Sequence, residues 1–224
     1  MKVSQAIATR RSIRDFLDKP VDRAIIARIL ERAQRSPSGG NVQPWHGLVL
    51  TGEPLQKLFK VAARELTKGR DGVKPEFAIY PPEVEDPYKA RIGKVGEDMY
   101  GALGIPREDK QARLGWFKRN FEAFGAPALM LVHTPQYMGL PQWGDIGMWL
   151  QSIMLLAREE GIDTCPQESW ANYAGAFREV VAIPKDHILY CGIAFGYRNP
   201  DAEVNAFPVD RASLDDVIRW DGWE

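Results

Sequence analysis

Between Asp145 and Glu160 the chain carries apolar residues on more faces than a surface helix has. Ile146, Met148, Trp149, Leu150, Ile153, Met154, Leu155 and Leu156 keep helical spacing but leave no clean polar side. Such a helix has to be buried nearly all round, so the fold must place it centrally and pack other elements against it. A small open architecture cannot do this. At 224 residues the chain can, because domains of this size hide roughly 70% of the surface of the unfolded chain.

The remaining elements follow from periodicity and punctuation. Ser4 to Arg10 reads as a short helix. Val21 to Gln34 reads as another, with Ile25, Ile26, Ile29, Leu30 and Ala33 on one stripe and Asp22 as the cap. Trp45 to Thr51, Ala128 to Val132 and Ile188 to Phe195 have strand length and composition, and Gly161 to Trp170 reads as a short strand and loop. Gly52-Glu53-Pro54 starts a helix with Leu55, Leu58, Phe59 and Ala62 on one face. Helical spacing also covers Arg91 to Leu103, Pro106 to Phe124 and Ala171 to Val181. Prolines at 75, 81, 82 and 87 rule out regular structure for most of Gly69 to Pro87. After Pro200 the core pattern fades, yet Trp220 and Trp223 are large apolar groups, so this tail packs on its own domain or on a partner. A few strands with more helix predict an α+β fold in one domain over residues 1–224.

Composition excludes several functions. The net charge of −1 attracts neither nucleic acid nor an anionic membrane. No apolar run reaches the roughly 20 residues of a membrane span, and no secretory signal is read at the N-terminus, so a reduced, cytoplasmic protein is expected. Cys165 and Cys191 form no CxxC pair, and Cys165 has no evident base for a nucleophilic role. His46, His133 and His187 are scattered without metal-ligand spacing, so no metal is expected. The GxGxxG, Walker and GxSxG sequences are absent.

Two runs near the N-terminus suggest chemistry of another kind. Arg10-Arg11-Ser12-Ile13-Arg14 gathers three guanidiniums and a hydroxyl, donors that suit phosphate oxygens. A solvated helix end with surface ion pairs is the other reading of that run. Ser36-Pro37-Ser38-Gly39-Gly40-Asn41-Val42-Gln43-Pro44-Trp45 is a tight polar turn with two amide side chains ahead of a strand. It is either an ordinary loop or an edge for recognising a heterocycle. Thr164-Cys165-Pro166-Gln167-Glu168-Ser169-Trp170 is a third polar loop, able to present a backbone N–H to a ring nitrogen.

In this order the runs resemble the nitroreductase family of flavin enzymes, over nearly the whole chain. Gly192-Ile193-Ala194-Phe195-Gly196-Tyr197 resembles its closing strand, and Arg211-Ala212-Ser213-Leu214-Asp215 its C-terminal arm. The branch looks closest to bacterial reductases of nitrobenzoates and dinitroanilines. The resemblance implies an α/β sandwich with a central mixed, mainly antiparallel sheet flanked by helices. It also implies an interwoven homodimer with FMN at the subunit interface, for which the 145–160 helix would supply apolar surface. NADH or NADPH would be the donor, and a small aromatic acceptor, a nitroarene or a quinone, would take the same place in a ping-pong cycle. FMN would carry the chemistry, so no catalytic side chain is expected.

By the same resemblance Arg10, Arg11, Ser12, Arg14 and Arg211 would hold the phosphate and ribityl chain. Pro37, Ser38, Gly39, Asn41 and Gln43 would reach the cofactor from the partner subunit or the ring edge. Pro166, Gln167, Glu168 and Ser169 would lie along the isoalloxazine, with the Glu168 N–H near N5. Residues 69–124 would form a substrate lid contributing Tyr80, Tyr88, Trp116, Phe121 and Phe124, and residues 200–224 an arm on the partner subunit. Two positions depart from the family pattern: Ser169 where many relatives have glycine, and Val209 where many have lysine. A reductive dehalogenase, with Glu97, Tyr100 and Lys118 holding a zwitterion, and a non-catalytic FMN-binding module are the alternatives.

Overall fold

Strict alternation along one strand organises the architecture. In the computed structural model, which describes residues 1–223, strand β2 (Ala128–Pro135) is buried on both faces. Leu129 and Leu131 enter one core, and Ala128, Met130 and Val132 enter the other. Four strands form the sheet, in the order β1 (His46–Thr51), β2, β4 (His187–Gly196), β3 (Asp163–Gln167). All three pairings are antiparallel. The mixed character expected of the sheet reduces to an isolated parallel bridge between Ser12 and Thr164.

Helices α1 (Val3–Thr9), α2 (Arg23–Ala33) and α3 (Gly52–Thr67) precede α4 (Tyr88–Ala102) and α5 (Lys110–Lys118). Helix α6 (Leu140–Glu159) lies between β2 and β3, the short α7 (Ala174–Phe177) precedes β4, and α8 (Leu214–Val217) lies in the tail. Asp22 caps α2 by accepting the Ala24 N–H at 2.8 Å. On one face of the sheet, α3 packs with Phe121, Phe124, Trp170 and Phe177. On the other, Ile26 and Ile29 of α2 meet Ile146, Trp149 and Ile153 of α6, and Trp45 stacks on Trp149 with centroids 5.7 Å apart.

Several sequence expectations need correction. Within the single chain α6 is not buried all round: Met148 is exposed, and Met154, Leu155 and Leu156 are only partly covered. The helix read from Pro106 to Phe124 ends at Lys118. A 3-10 segment, Arg119–Gly125, follows, with Ala123 and Phe124 at positive φ. Left-handed backbone cannot continue a helix, and it swings Phe124 inward. The helix read from Ala171 to Val181 is regular only over α7, because a 3-10 stretch, Glu168–Tyr173, precedes it.

Candidate functional site

The arginine run is attached to the sheet rather than to a helix end. Ile13 N–H donates to Thr164 O at 3.0 Å, beside the Ser12–Thr164 bridge, so residues 10–14 lie along the free edge of β3. The tail closes over them. Asn205, 5% exposed, accepts the Arg14 N–H at 2.8 Å and donates to Asp15 O and Asn199 O. The Arg11 guanidinium donates to Phe207 O. Buried amides rarely go unsatisfied, and here the bonds to Arg14 and Asp15 join chain ends about 190 residues apart in sequence.

The product is a cavity of about 410 Å³ lined by Arg10, Arg11, Ser12, Arg14 and Arg211, with Val204 and Phe207 as apolar wall. Among the described residues none of these four arginines forms an ion pair. Burial, followed by the Arg211 charge, lowers the Arg10 pKa. Like charges gathered without counter-charge favour an anion, and planar forks suit a phosphate ester. Val209 lines the same wall, and among the described residues Arg211 is the one cation the tail places there.

From Thr164, β3 runs on to the third polar loop. Pro166, Gln167, Glu168 and Ser169 line a second cavity of about 540 Å³ together with Ile79, Tyr80, Phe117, Asn120, Asn172 and Tyr190. The Gln167 side chain turns away from it, donating to Asn120 O at 2.7 Å and accepting from Trp170 Nε1 at 3.2 Å. Only the backbone of Gln167 can therefore face a ligand. The Ser169 hydroxyl is buried without a partner, an acceptor and donor left for a bound group. Among the described residues Glu168 forms no salt bridge, and desolvation raises its carboxyl. Cys165, fully buried, is pushed up to about 11 by desolvation against the pull of Arg14 and Arg10, so it remains a thiol.

The 36–45 turn stands apart from both cavities. Asn41 and Gln43 adopt left-handed φ values of 57° and 51° beside Gly40, a strained geometry that persists only where surroundings impose it. Asp145 accepts the Gly39 N–H, Ser38 Oγ accepts the Gln43 N–H at 3.0 Å, and the Gln43 side chain donates to Asn41 O. Pro37, Gly39, Asn41 and Gln43 are exposed. The turn is rigid and presented outward.

The aromatic acceptor set needs correction. Phe121 and Phe124 are each 2% exposed and belong to the core, and Trp116 packs against it. Tyr88 is open to solvent, and Tyr80 alone of the five lines the loop cavity. The regular helix stops at Lys118 rather than at Phe124, and Phe117 in its last turn is the aromatic residue of that stretch that reaches the cavity. Tyr190 was missed for a different reason. His133 pairs with Leu189 and Val132 with Cys191, leaving Tyr190 as the extra residue of a β-bulge. Bulges re-aim a side chain, and no periodicity marks them. The zwitterion set does not assemble either: Arg113 holds Glu97 at 2.8 Å, while Lys118 lines a groove against α3.

The three histidines, dispersed in sequence, come together. His133 Nδ1 lies 2.8 Å from His187 Nδ1, and His46 stacks on His133 with centroids 5.5 Å apart. The antiparallel register of β1, β2 and β4 places them side by side.

Comparison with known proteins gives a consistent picture. The model for "Nitroreductase family" matches residues 7–197. The chain is 36% identical over 216 residues to the 4-nitrobenzoate reductase of Nocardioides sp. (strain LMS-CY), covering 95% of this chain and 87% of that one. It superposes with a TM-score of 0.98 and 48% identity, over 100% of both chains, on the FMN and NADPH-dependent nitroreductase NfnB from Sphigopyxis sp. strain HMH. For the FMN-dependent NfnB from Mycobacterium smegmatis in complex with NADPH the values are 0.91 and 28%, over 98% of this chain and 100% of that one.

Proposed function

The chain belongs to the nitroreductase family, and from that premise we propose that it is an FMN-dependent NAD(P)H oxidoreductase that reduces nitroaromatic compounds. One observation carries the reading: an uncompensated arginine cavity joined by a single strand to a loop cavity of ligand size. Arg10, Arg11, Ser12, Arg14 and Arg211 would hold the phosphate. Pro166 to Ser169 would lie along the ring, with the orphaned Ser169 hydroxyl free to bond it. When bound, FMN would supply the redox chemistry, a two-electron transfer from a reduced nicotinamide to the acceptor. The chain's own contribution is orientation, an electropositive tail site and walls that exclude water.

With one face of the ring covered by residues 166–169, donor and acceptor would share the other face in turn, a ping-pong order that would also admit quinones. We further propose a homodimer. Met148 on α6, Val3 and Ile7 on α1, and Val42 in the outward turn leave apolar surface uncovered. The turn's Asn41 and Gln43 would then serve the partner's cofactor. In this arrangement 1–224 would be one domain and 69–124 would supply a lid over the acceptor, with Phe121 and Phe124 anchored in the core; Val204 to Arg211 stay on their own chain, and the exposed Trp220 and Trp223 would form the arm on the neighbouring subunit.

The test is spectroscopic. Purified protein should be yellow, bleach anaerobically with NADH or NADPH, and recover its colour on addition of 4-nitrobenzoate or nitrobenzene. Colourless protein that takes up no added FMN refutes the proposal.

A further inference from the structure

The segment leading to Tyr80 has few means of holding itself in place. Pro75, Pro81 and Pro82 remove backbone donors, and residues 73–85 form neither helix nor strand. Three contacts anchor it. Lys74 N–H donates to Asn172 O at 2.8 Å. Phe77 meets Trp143 edge-on at 4.9 Å and stacks on Tyr190 at 6.1 Å. Between these, the Glu76 carboxylate receives both terminal nitrogens of Arg178, at 2.5 and 3.2 Å, and the Leu189 N–H at 2.9 Å. Arg178 in turn donates to His187 O at 2.6 Å.

Exposed ion pairs contribute little to stability. This pair differs: the side chains are 16% and 23% exposed, the contact is bidentate, and the carboxylate also satisfies a backbone donor. Asn172 and Tyr190, to which the segment is tied, line the same cavity as Ile79 and Tyr80. The clamp therefore joins one wall of the cavity to the other.

We propose that Glu76, locked to Arg178, is a positioning residue that sets where Ile79 and Tyr80 stand across from residues 166–169, and so sets the affinity of the pocket for a planar acceptor. The inference rests on the reading of that cavity as the acceptor site. Glu76 takes no part in electron or proton transfer.

Full-length, flavin-loaded Glu76→Ala and Glu76→Gln are compared with the parent protein, using nitrobenzene as acceptor and ferricyanide as an oxidant that needs no shaped pocket. In Glu76→Ala the KM for nitrobenzene rises about tenfold while kcat and the ferricyanide rate stay within about twofold. Glu76→Gln, which keeps an acceptor for the Leu189 amide, falls between. Arg178→Ala reproduces the effect, and the double variant is no worse than either single one. A nitrobenzene KM within about twofold of the parent, or additive single effects, overturns the proposal. Hydrogen exchange supplies a readout independent of turnover: the Lys74 and Leu189 amides exchange about tenfold faster in Glu76→Ala, with Leu129 to Val132 unchanged. Unchanged exchange at both amides refutes the clamp. If the parent protein reduces no nitroarene, the acceptor reading fails while the exchange result still judges the clamp. If Glu76→Ala does not fold, Glu76→Gln carries both measurements.

Discussion

Acidification should destabilise this protein through its histidine cluster before its carboxylates titrate. His133 is 7% exposed, and its pKa falls from 6.5 to about 4, first through burial and then through His187, His46 and the Arg178 charge. His187 is lowered as well, by burial and then by His46, with Asp186 opposing. The folded pKa of His133 lies below the unfolded one, so between these values the unfolded chain binds the proton and the folded chain does not. Stability should be flat above about pH 7, fall as pH drops from about 6.5 towards 4, and gain no further loss from this group below that. At ~1.4 kcal/mol per pH unit the gap between 6.5 and about 4 corresponds to ~3 kcal/mol.

Urea unfolding followed by tryptophan fluorescence, with flavin occupancy held constant, measures the curve. The His133→Asn variant isolates the group, since asparagine keeps a polar atom near the Nδ1 position but does not titrate. The variant should be less stable than the parent near pH 7, having lost the 2.8 Å bond to His187. That deficit should shrink by ~3 kcal/mol by about pH 4. Parallel curves for the two proteins over this range would refute the reasoning.

Three further outcomes follow from the geometry. Arg10→Ala and Arg14→Ala should each weaken FMN retention by about tenfold or more, with a salt dependence reduced from that of the parent, measured by fluorescence titration of stripped protein. Gly192→Ala should lower unfolding stability by about 1–3 kcal/mol in the same urea assay, because a Cβ there would lie 2.3 Å from Cδ1 of the fully buried Trp170. Among the described residues Glu168 is the single charged side chain lining the loop cavity. Glu168→Gln should therefore improve kcat/KM for 4-nitrobenzoate relative to nitrobenzene by about fivefold, an effect of order 1 kcal/mol. An unchanged ratio would place the substrate carboxylate beyond its reach.

Much of this was legible in the chain because it is local. The cap at Asp22, the strand from His46 to Thr51, the break at Gly52-Glu53-Pro54 and the buried β2 run are decided by neighbours in sequence. The arginine run and the 166–169 loop were visible as donor-rich stretches, and resemblance supplied their pairing. Phe121 and Phe124 misled because helical spacing was read through a segment where Ala123 and Phe124 turn left-handed. Tyr190 was hidden in a bulge that exists only through pairing with β2.

By itself, the amino-acid order settled most of the element types, the need for a large core and the chemistry of the groups on offer, since these depend on propensity, periodicity and side-chain type; it did not show where 106–124 and 171–181 give way to 3-10 turns. Which of those groups meet was decided only when the sheet closed. Strand register set the three histidines side by side and bound Ser12 to Thr164. Asn205 then drew the tail across the arginines. Long-range pairing is a property of the assembled backbone, where one hydrogen-bonded register brings together residues that no local pattern connects.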